Sequence, residues 1–383
     1  PHYGRYSYLG FDGVAPDNVL KGQWPVVSSP MSVQLVQTSG AAGEQAPLRL
    51  APRQPLVAAA ERFSRARLQR DVETLGSEAM AGRGLGSPEL EQAADYIAAQ
   101  FRSAGLQPGG DDPQSWFQSW QQRVDALDAS VTLKNVIGIL PGSDPGLAGE
   151  SLVIGAHYDH FGRGAYADHA AGRGQLHPGA DDNASATAVQ LEVARLLAQL
   201  PDKNTLDLAV RFVSFALEEP PVYGTRHMGS RVYARAARAQ KEKIDGMICL
   251  EMVGYACHEP GCQSYPFPLM FMDYPETGNF IGIVSNFKSH GFAKNLLAQF
   301  QKNKDLPAVK LTVPFNGYIM PAVRLSDHAS FWDTGYKAVM VTDSAFFRNP
   351  YYHTAGDTMD KLDFEFMAEV VESLVIFFLS HQR

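Results

Sequence analysis

The chain has 383 residues, 45% of them apolar and 19% charged, enough for one large α/β core with an appendage and unlike the sparse, highly charged composition of a disordered protein. Lysine plus arginine number 33 against 41 aspartate plus glutamate, a net charge of −8, so the basic excess needed to neutralise nucleic acid or an anionic lipid surface is missing. The longest clean apolar run near the C-terminus, Leu374 to Leu379, falls far short of the roughly 20 residues of a membrane-spanning helix.

Residues 1–57 are rich in Gly, Pro, Ser and Gln and read as an N-terminal appendage or processed remnant, with one expected strand from Ser32 to Gln37. The start at Pro1-His2-Tyr3 shows no charged segment leading into an apolar one, and a signal peptide already removed is compatible with that. From Ala58 the pattern turns helical through Phe63, Leu68 and Val72, and a second amphipathic helix is predicted from Pro88 to Ala104, ahead of Gly105. Strands and helices then alternate. Strands are expected at Asn135–Leu140, Leu152–Ala156, Leu206–Phe215 and Met247–Val253, and helices at Ala186–Leu200 and around Gly229–Lys241. Further strands are expected at Leu269–Met272, Ile281–Val284, Lys310–Val313 and Ala338–Thr342, with helices at Gly291–Gln301 and Lys361–Leu379. Val189, Val193, Leu196, Leu197 and Leu200 form one helical stripe. Such alternation points to a three-layer α/β domain over 58–383, a mostly parallel sheet with helices on both faces. Ligands of such sheets bind beyond the carboxyl ends of the strands.

The chemistry-bearing residues sit at such ends. The strand Leu152–Ala156 runs into His157-Tyr158-Asp159-His160, where one group could bind a metal and its neighbour orient the ring. Gly179-Ala180-Asp181-Asp182-Asn183 precedes a helix; acids there either cap the helix or hold a cation. Glu218-Glu219 closes the apolar run Val210–Leu217, and adjacent carboxylates repel unless a cation or proton compensates them. Glu251 interrupts the run Cys249–Val253, and a buried carboxylate needs a partner unless it lies on an edge strand. Tyr352-His353 lies in the Pro/Gly-bounded loop Asn349–Thr358. Of the three cysteines, Cys257 and Cys262 flank His258-Glu259-Pro260-Gly261 and are either bonded or free, while Cys249 reads as a buried thiol.

In this order His157, Asp182, Glu219, Glu251 and His353 resemble the metal ligands of the di-zinc aminopeptidase family, which includes glutamate carboxypeptidases and animal-type glutaminyl cyclases. Gly82-Arg83 with Gly86, Ser326-Asp327-His328 with Phe331-Trp332, and His353-Thr354 with Asp357-Thr358 match further stretches. The resemblance implies two Zn2+ ions bridged by Asp182, one completed by His157 and Glu251 and the other by Glu219 and His353. It implies Glu218 as general base, Tyr352 as support for the oxyanion, and Asp159 and Asp357 as groups that orient the ligands. Charges agree: +4 from the ions, −3 from Asp182, Glu219 and Glu251, and a hydroxide complete a neutral cluster. Two departures stand out. Position 251 is more often Asp in the family, and Pro220-Pro221 replaces a Gly-containing turn.

The implied protein is a secreted or periplasmic metallo-aminopeptidase acting on peptide substrates, with a Cys257–Cys262 disulfide expected from the exported habit and the close spacing. The alternatives are glutaminyl cyclase-like or carboxypeptidase activity on the same scaffold, or a non-catalytic binding module. Phe346, Phe347 and Tyr351 are candidates for an apolar pocket wall, and Asp181 and Asp327 for contact with a substrate amine.

Overall fold

Apolar runs bounded by turns become the strands of a nine-stranded sheet, seen in a computed structural model that describes residues 65–124, 129–164, 174–200, 206–266 and 274–381. The expected appendage and the strands expected at 32–37 and 269–272 lie outside the described residues. The strands are β1 (Gln107–Pro108), β2 (Phe117–Val124), β3 (Ala129–Leu140), β4 (Glu150–His157), β5 (Ala209–Phe215), β6 (Lys243–Glu251), β7 (Ile281–Asn286), β8 (Ala308–Val313) and β9 (Ala338–Thr342). Their order is β1-β3-β5-β4-β6-β9-β7-β8, with β2 paired to β3. The centre, β5-β4-β6-β9, is parallel, whereas β3 meets β5 and β7 meets β9 antiparallel. Strands covered on both faces have no solvated side to mark with polar residues, and every residue of β9 is accordingly buried.

The helices are α1 (Arg65–Leu75), α2 (Pro88–Ala104), α3 (Ala186–Ala198), α4 (Gly229–Ala239), α5 (His290–Phe300), α6 (His328–Thr334) and α7 (Phe364–Ser380). Helix α3 packs against β4, β5 and β6 and against α1, α2 and α7, whereas α4 packs on α6 with its Tyr233, Ala234 and Ala237 in a core beneath Val153, Val213, Met247 and Phe331. Local chemistry sets the helix ends. Ser87 caps α2 by accepting from the Leu90 amide, Pro88 fills the first turn, and Gly105 at φ 87° closes it. Asp363 accepts from the amides of Glu365 and Phe366, so α7 starts at Phe364, and Met359–Lys361 forms a separate turn.

The strand β2 lies outside the expected elements. In Phe117–Val124 only Phe117, Trp120 and Val124 are apolar, a spacing closer to a helix than to a half-buried strand. It forms because β3 runs from Ala129, well before the expected Asn135, and pairs with β2 along its whole length. No described helix is long and apolar enough to cross a membrane.

Glu372 of α7 is buried, and burial, with Glu369 and Asp305 beside it, pushes its carboxyl up from 4.5 to about 8. A carboxyl raised in the folded state removes stability as pH climbs from its unfolded value through its folded one. Glu372→Gln is therefore expected to raise Tm by a few degrees at pH 8 and to leave it nearly unchanged at pH 5. Thermal scans at the two pH values check this, and equal shifts at both would contradict it.

Candidate metal centre

The site forms where the parallel strands end. His157 is the last residue of β4, Glu218 and Glu219 follow β5, and Glu251 ends β6. Asp182 lies in the kinked turn before α3, which starts at Gly179 with φ 61°. His157, Asp182, Glu218, Glu219 and Glu251 are all buried.

The separations of the facing atoms are informative. His157 Nε2 lies 3.3 Å from Asp182 Oδ1 and 3.5 Å from Glu251 Oε2. His353 Nε2 lies 3.2 Å from Asp182 Oδ2 and 3.4 Å from Glu219 Oε2. Tetrahedral zinc with bonds of about 2.0–2.1 Å spaces its ligands about 3.3–3.4 Å apart, so both groups have the dimensions of a cation site, and the two oxygens of Asp182 face different imidazoles. His157 Nε2 and Asp182 Oδ1 are buried and make no hydrogen bond, as expected of atoms reserved for a metal. The residue groups His157–Asp182–Glu251 and His160–Asp182–Glu219 each offer donor atoms within 4.8 Å of one another.

Other side chains hold these donors in place. Both oxygens of Asp159 accept backbone hydrogen bonds, from the amides of Glu218 (3.1 Å) and Glu219 (3.2 Å). Asp357 does the same for Asp181 (2.9 Å) and Asp182 (3.0 Å). The Ser326 hydroxyl donates to Glu251 Oε2 at 2.6 Å, the same oxygen that faces His157 Nε2 at 3.5 Å. Tyr352 stacks on His353 with centroids 3.6 Å apart, and Phe161 meets the same ring edge-on at 4.5 Å.

The field of the site favours cations. Burial opposes the charged form of Asp182, yet His157 and His353 hold its carboxyl well below the usual range. Against the same desolvation, Glu219 and Asp182 push His353 up to about 12. Burial pushes Glu218 well above the ordinary carboxylate range; His157 opposes this, while Glu251, Glu219 and Asp327 add to it. Burial and then the acids Asp182, Glu219, Glu218 and Glu251 keep the Tyr352 phenol protonated.

His160, the last residue of the run His157-Tyr158-Asp159-His160, also reaches the site. Its Nδ1 lies 2.7 Å from Glu219 Oε1, a hydrogen-bond length shorter than the spacing of co-ligands. A second imidazole three residues after His157 is the signal that could have flagged it. Asp181 and Asp182 also separate: Asp181 accepts from the Gly254 amide (2.9 Å) and from Asn349 (2.7 Å) and is enclosed, so it cannot meet a substrate amine. Asp327 is likewise fully buried.

Beside the metal-ligand candidates lies a cavity of about 100 Å³ bounded by Glu251 and Tyr352, with Val284, Leu311, Met340 and Phe346 among its walls. Phe346 and Phe347 line it as expected, whereas Tyr351 does not and packs on Tyr255 instead. No Lys or Arg is among the described residues lining it. Arg348 is bound to Gln263 and main-chain carbonyls, and Arg324 is paired with Asp333. Cys257 and Cys262 are bonded, and Cys249 is a buried free thiol.

Known proteins resemble this chain in sequence and in fold. The uncharacterized protein YfbL of Escherichia coli K12 is 35% identical over 289 residues, covering 75% of this chain and 79% of its own length. A probable leucine aminopeptidase 1 of Trichophyton verrucosum is 26% identical, covering 82% of this chain and 73% of its own. The solved glutaminyl cyclase of Bacteroides thetaiotaomicron shares the fold with a TM-score of 0.59 at 16% identity, covering 84% of this chain and 99% of its own. The model of peptidase family M28 matches residues 135–377, a span that holds the sheet centre and every residue of the metal site, and the chain belongs to that family of zinc-dependent peptidases.

Proposed function

We propose that this peptidase is a di-zinc aminopeptidase in which Asp182 bridges the ions, His157 and Glu251 complete one and Glu219 and His353 the other. The observation that carries the reading is the pair of Asp182 oxygens, each about one tetrahedral edge from a different imidazole. Bound zinc supplies a water of lowered pKa and polarises the scissile carbonyl. Glu218, whose Oε2 lies 3.9 Å from His157 Nε2, would accept the proton of the attacking water and return it to the leaving amine. The Tyr352 hydroxyl, held protonated, donates to the oxyanion as it develops. Asp159 fixes the turn that carries Glu218 and Glu219, so base and ligand move as one unit.

Substrate polarity follows from charge. A carboxypeptidase must hold a terminal carboxylate with a cation, and the described lining of the cavity offers Glu251 and none. Similarity to a probable leucine aminopeptidase fits a substrate with a free α-amine, and the apolar walls suit an apolar first side chain. Likeness to a glutaminyl cyclase fits a second reading, ring closure of an N-terminal glutamine on the same scaffold. The bonded Cys257–Cys262 pair supports an exported location, secreted or periplasmic.

Three substrates distinguish these readings: leucyl anilide, its N-acetyl form, and a glutaminyl peptide assayed for ammonia. The aminopeptidase reading expects cleavage of the free amine and a loss of at least about 10²-fold in kcat/KM on acetylation. Equal cleavage of the acetylated form would overturn it, and ammonia release without anilide cleavage would favour the cyclase. Glu218→Gln is expected to fold and keep its metal while kcat falls about 10²-fold or more, with KM little changed. Near-normal turnover in that variant would remove Glu218 from the role of base.

A further inference from the structure

Gly82-Arg83, a motif outside the ligand set, lies against the metal centre. Arg83 ends the turn Glu78–Arg83 and is fully buried. Its Nε donates to the carbonyl of Tyr158 (2.7 Å), Nη1 to those of Pro178 (2.9 Å) and Leu75, and Nη2 to that of Gly179 (2.9 Å). Tyr158 stands between His157 and Asp159, and Pro178-Gly179 leads directly into Asp181-Asp182. One planar group therefore joins the chain that carries the first imidazole to the chain that carries the bridging carboxylate. The backbone reinforces the joint: the amides of His160 and Gly162 donate to the carbonyls of Arg83 and Gly82. A Cβ on Gly82 would come within 2.2 Å of the His177 carbonyl, so only glycine allows this approach, and its φ of 71° suits glycine as well.

Among the described residues, these carbonyls are the acceptors of the guanidinium, and no carboxylate touches it. Its charge therefore acts through space on nearby acids, of which Asp159, Asp357, Asp182 and Glu219 are felt most. Burial lowers its pKa only to about 10, so it stays a cation at neutral pH.

We propose that Arg83 is a positioning residue of the metal centre, which fixes His157 against Asp182 through shared carbonyl contacts and offsets the repulsion among the ligand carboxylates before metal enters. The inference rests on the zinc reading above. Lysine at this position keeps the charge but loses the planar fork, and methionine loses both.

The test uses the full chain as wild type, Arg83→Lys and Arg83→Met, each stripped of metal and titrated with Zn2+ against a chromophoric chelator. Thermal midpoints are measured for the apo and zinc-loaded forms. Zinc affinity is expected to fall at least about tenfold in Arg83→Lys and further in Arg83→Met. The rise in Tm on loading should shrink in the same order. Equal lowering of the apo and loaded midpoints with unchanged zinc affinity would overturn the proposal and leave Arg83 a folding residue. Failure of both variants to fold would do the same. A wild-type protein that binds no zinc would instead refute the metal reading itself.

Discussion

Asp182, Glu218, Glu219 and Glu251 are buried within reach of one another, and carboxylates gathered in a low-dielectric interior repel unless protons or cations compensate them. The surroundings of the site answer that repulsion. Imidazoles stand between the acids, with His157 beside Asp182 and Glu251 and His353 beside Asp182 and Glu219. Metal ions at the two positions would complete the compensation. The facing donors stand 3.2 to 3.5 Å apart, close to the edge of a zinc tetrahedron, whereas His160 and Glu219 stand at 2.7 Å.

The acids divide into two kinds by what they face. Asp159 and Asp357 turn both oxygens toward backbone amides and hold the turns that carry Glu218-Glu219 and Asp181-Asp182. Asp182, Glu219 and Glu251 turn oxygens toward imidazoles instead. Acids of the first kind give the second kind fixed positions, and Arg83 ties the His157 and Asp182 segments together from beneath. The parallel strands β4, β5 and β6 supply the frame, because in-register strands of one direction deliver their last residues to the same edge.

Much of this was legible in the sequence. The alternation of apolar runs and helical stripes marked the sheet centre and the long helices, and acids or histidines at strand exits marked the site. Strand β2 was not legible because its apolar residues are few and its partner is the unexpectedly long β3. The separate fates of Asp181 and Asp182 were also hidden, since the kink at Asp182 (φ −102°, ψ 92°) sends neighbouring carboxylates to different surroundings. Tyr351 and Tyr352 diverge in the same way: one packs on Tyr255, the other lines the cavity and stacks on His353. Spacing along the chain says which residues arrive together, and turn geometry decides which of them face the site.

In the proposed centre Asp182 joins two ions. Diffraction from crystals of the zinc-loaded protein, recorded at the zinc absorption edge, tests it most directly. Two anomalous peaks are expected to flank Asp182, one bounded by His157 and Glu251 and the other by Glu219 and His353. A single peak under zinc excess, or a pair that leaves Asp182 uncoordinated, would contradict it.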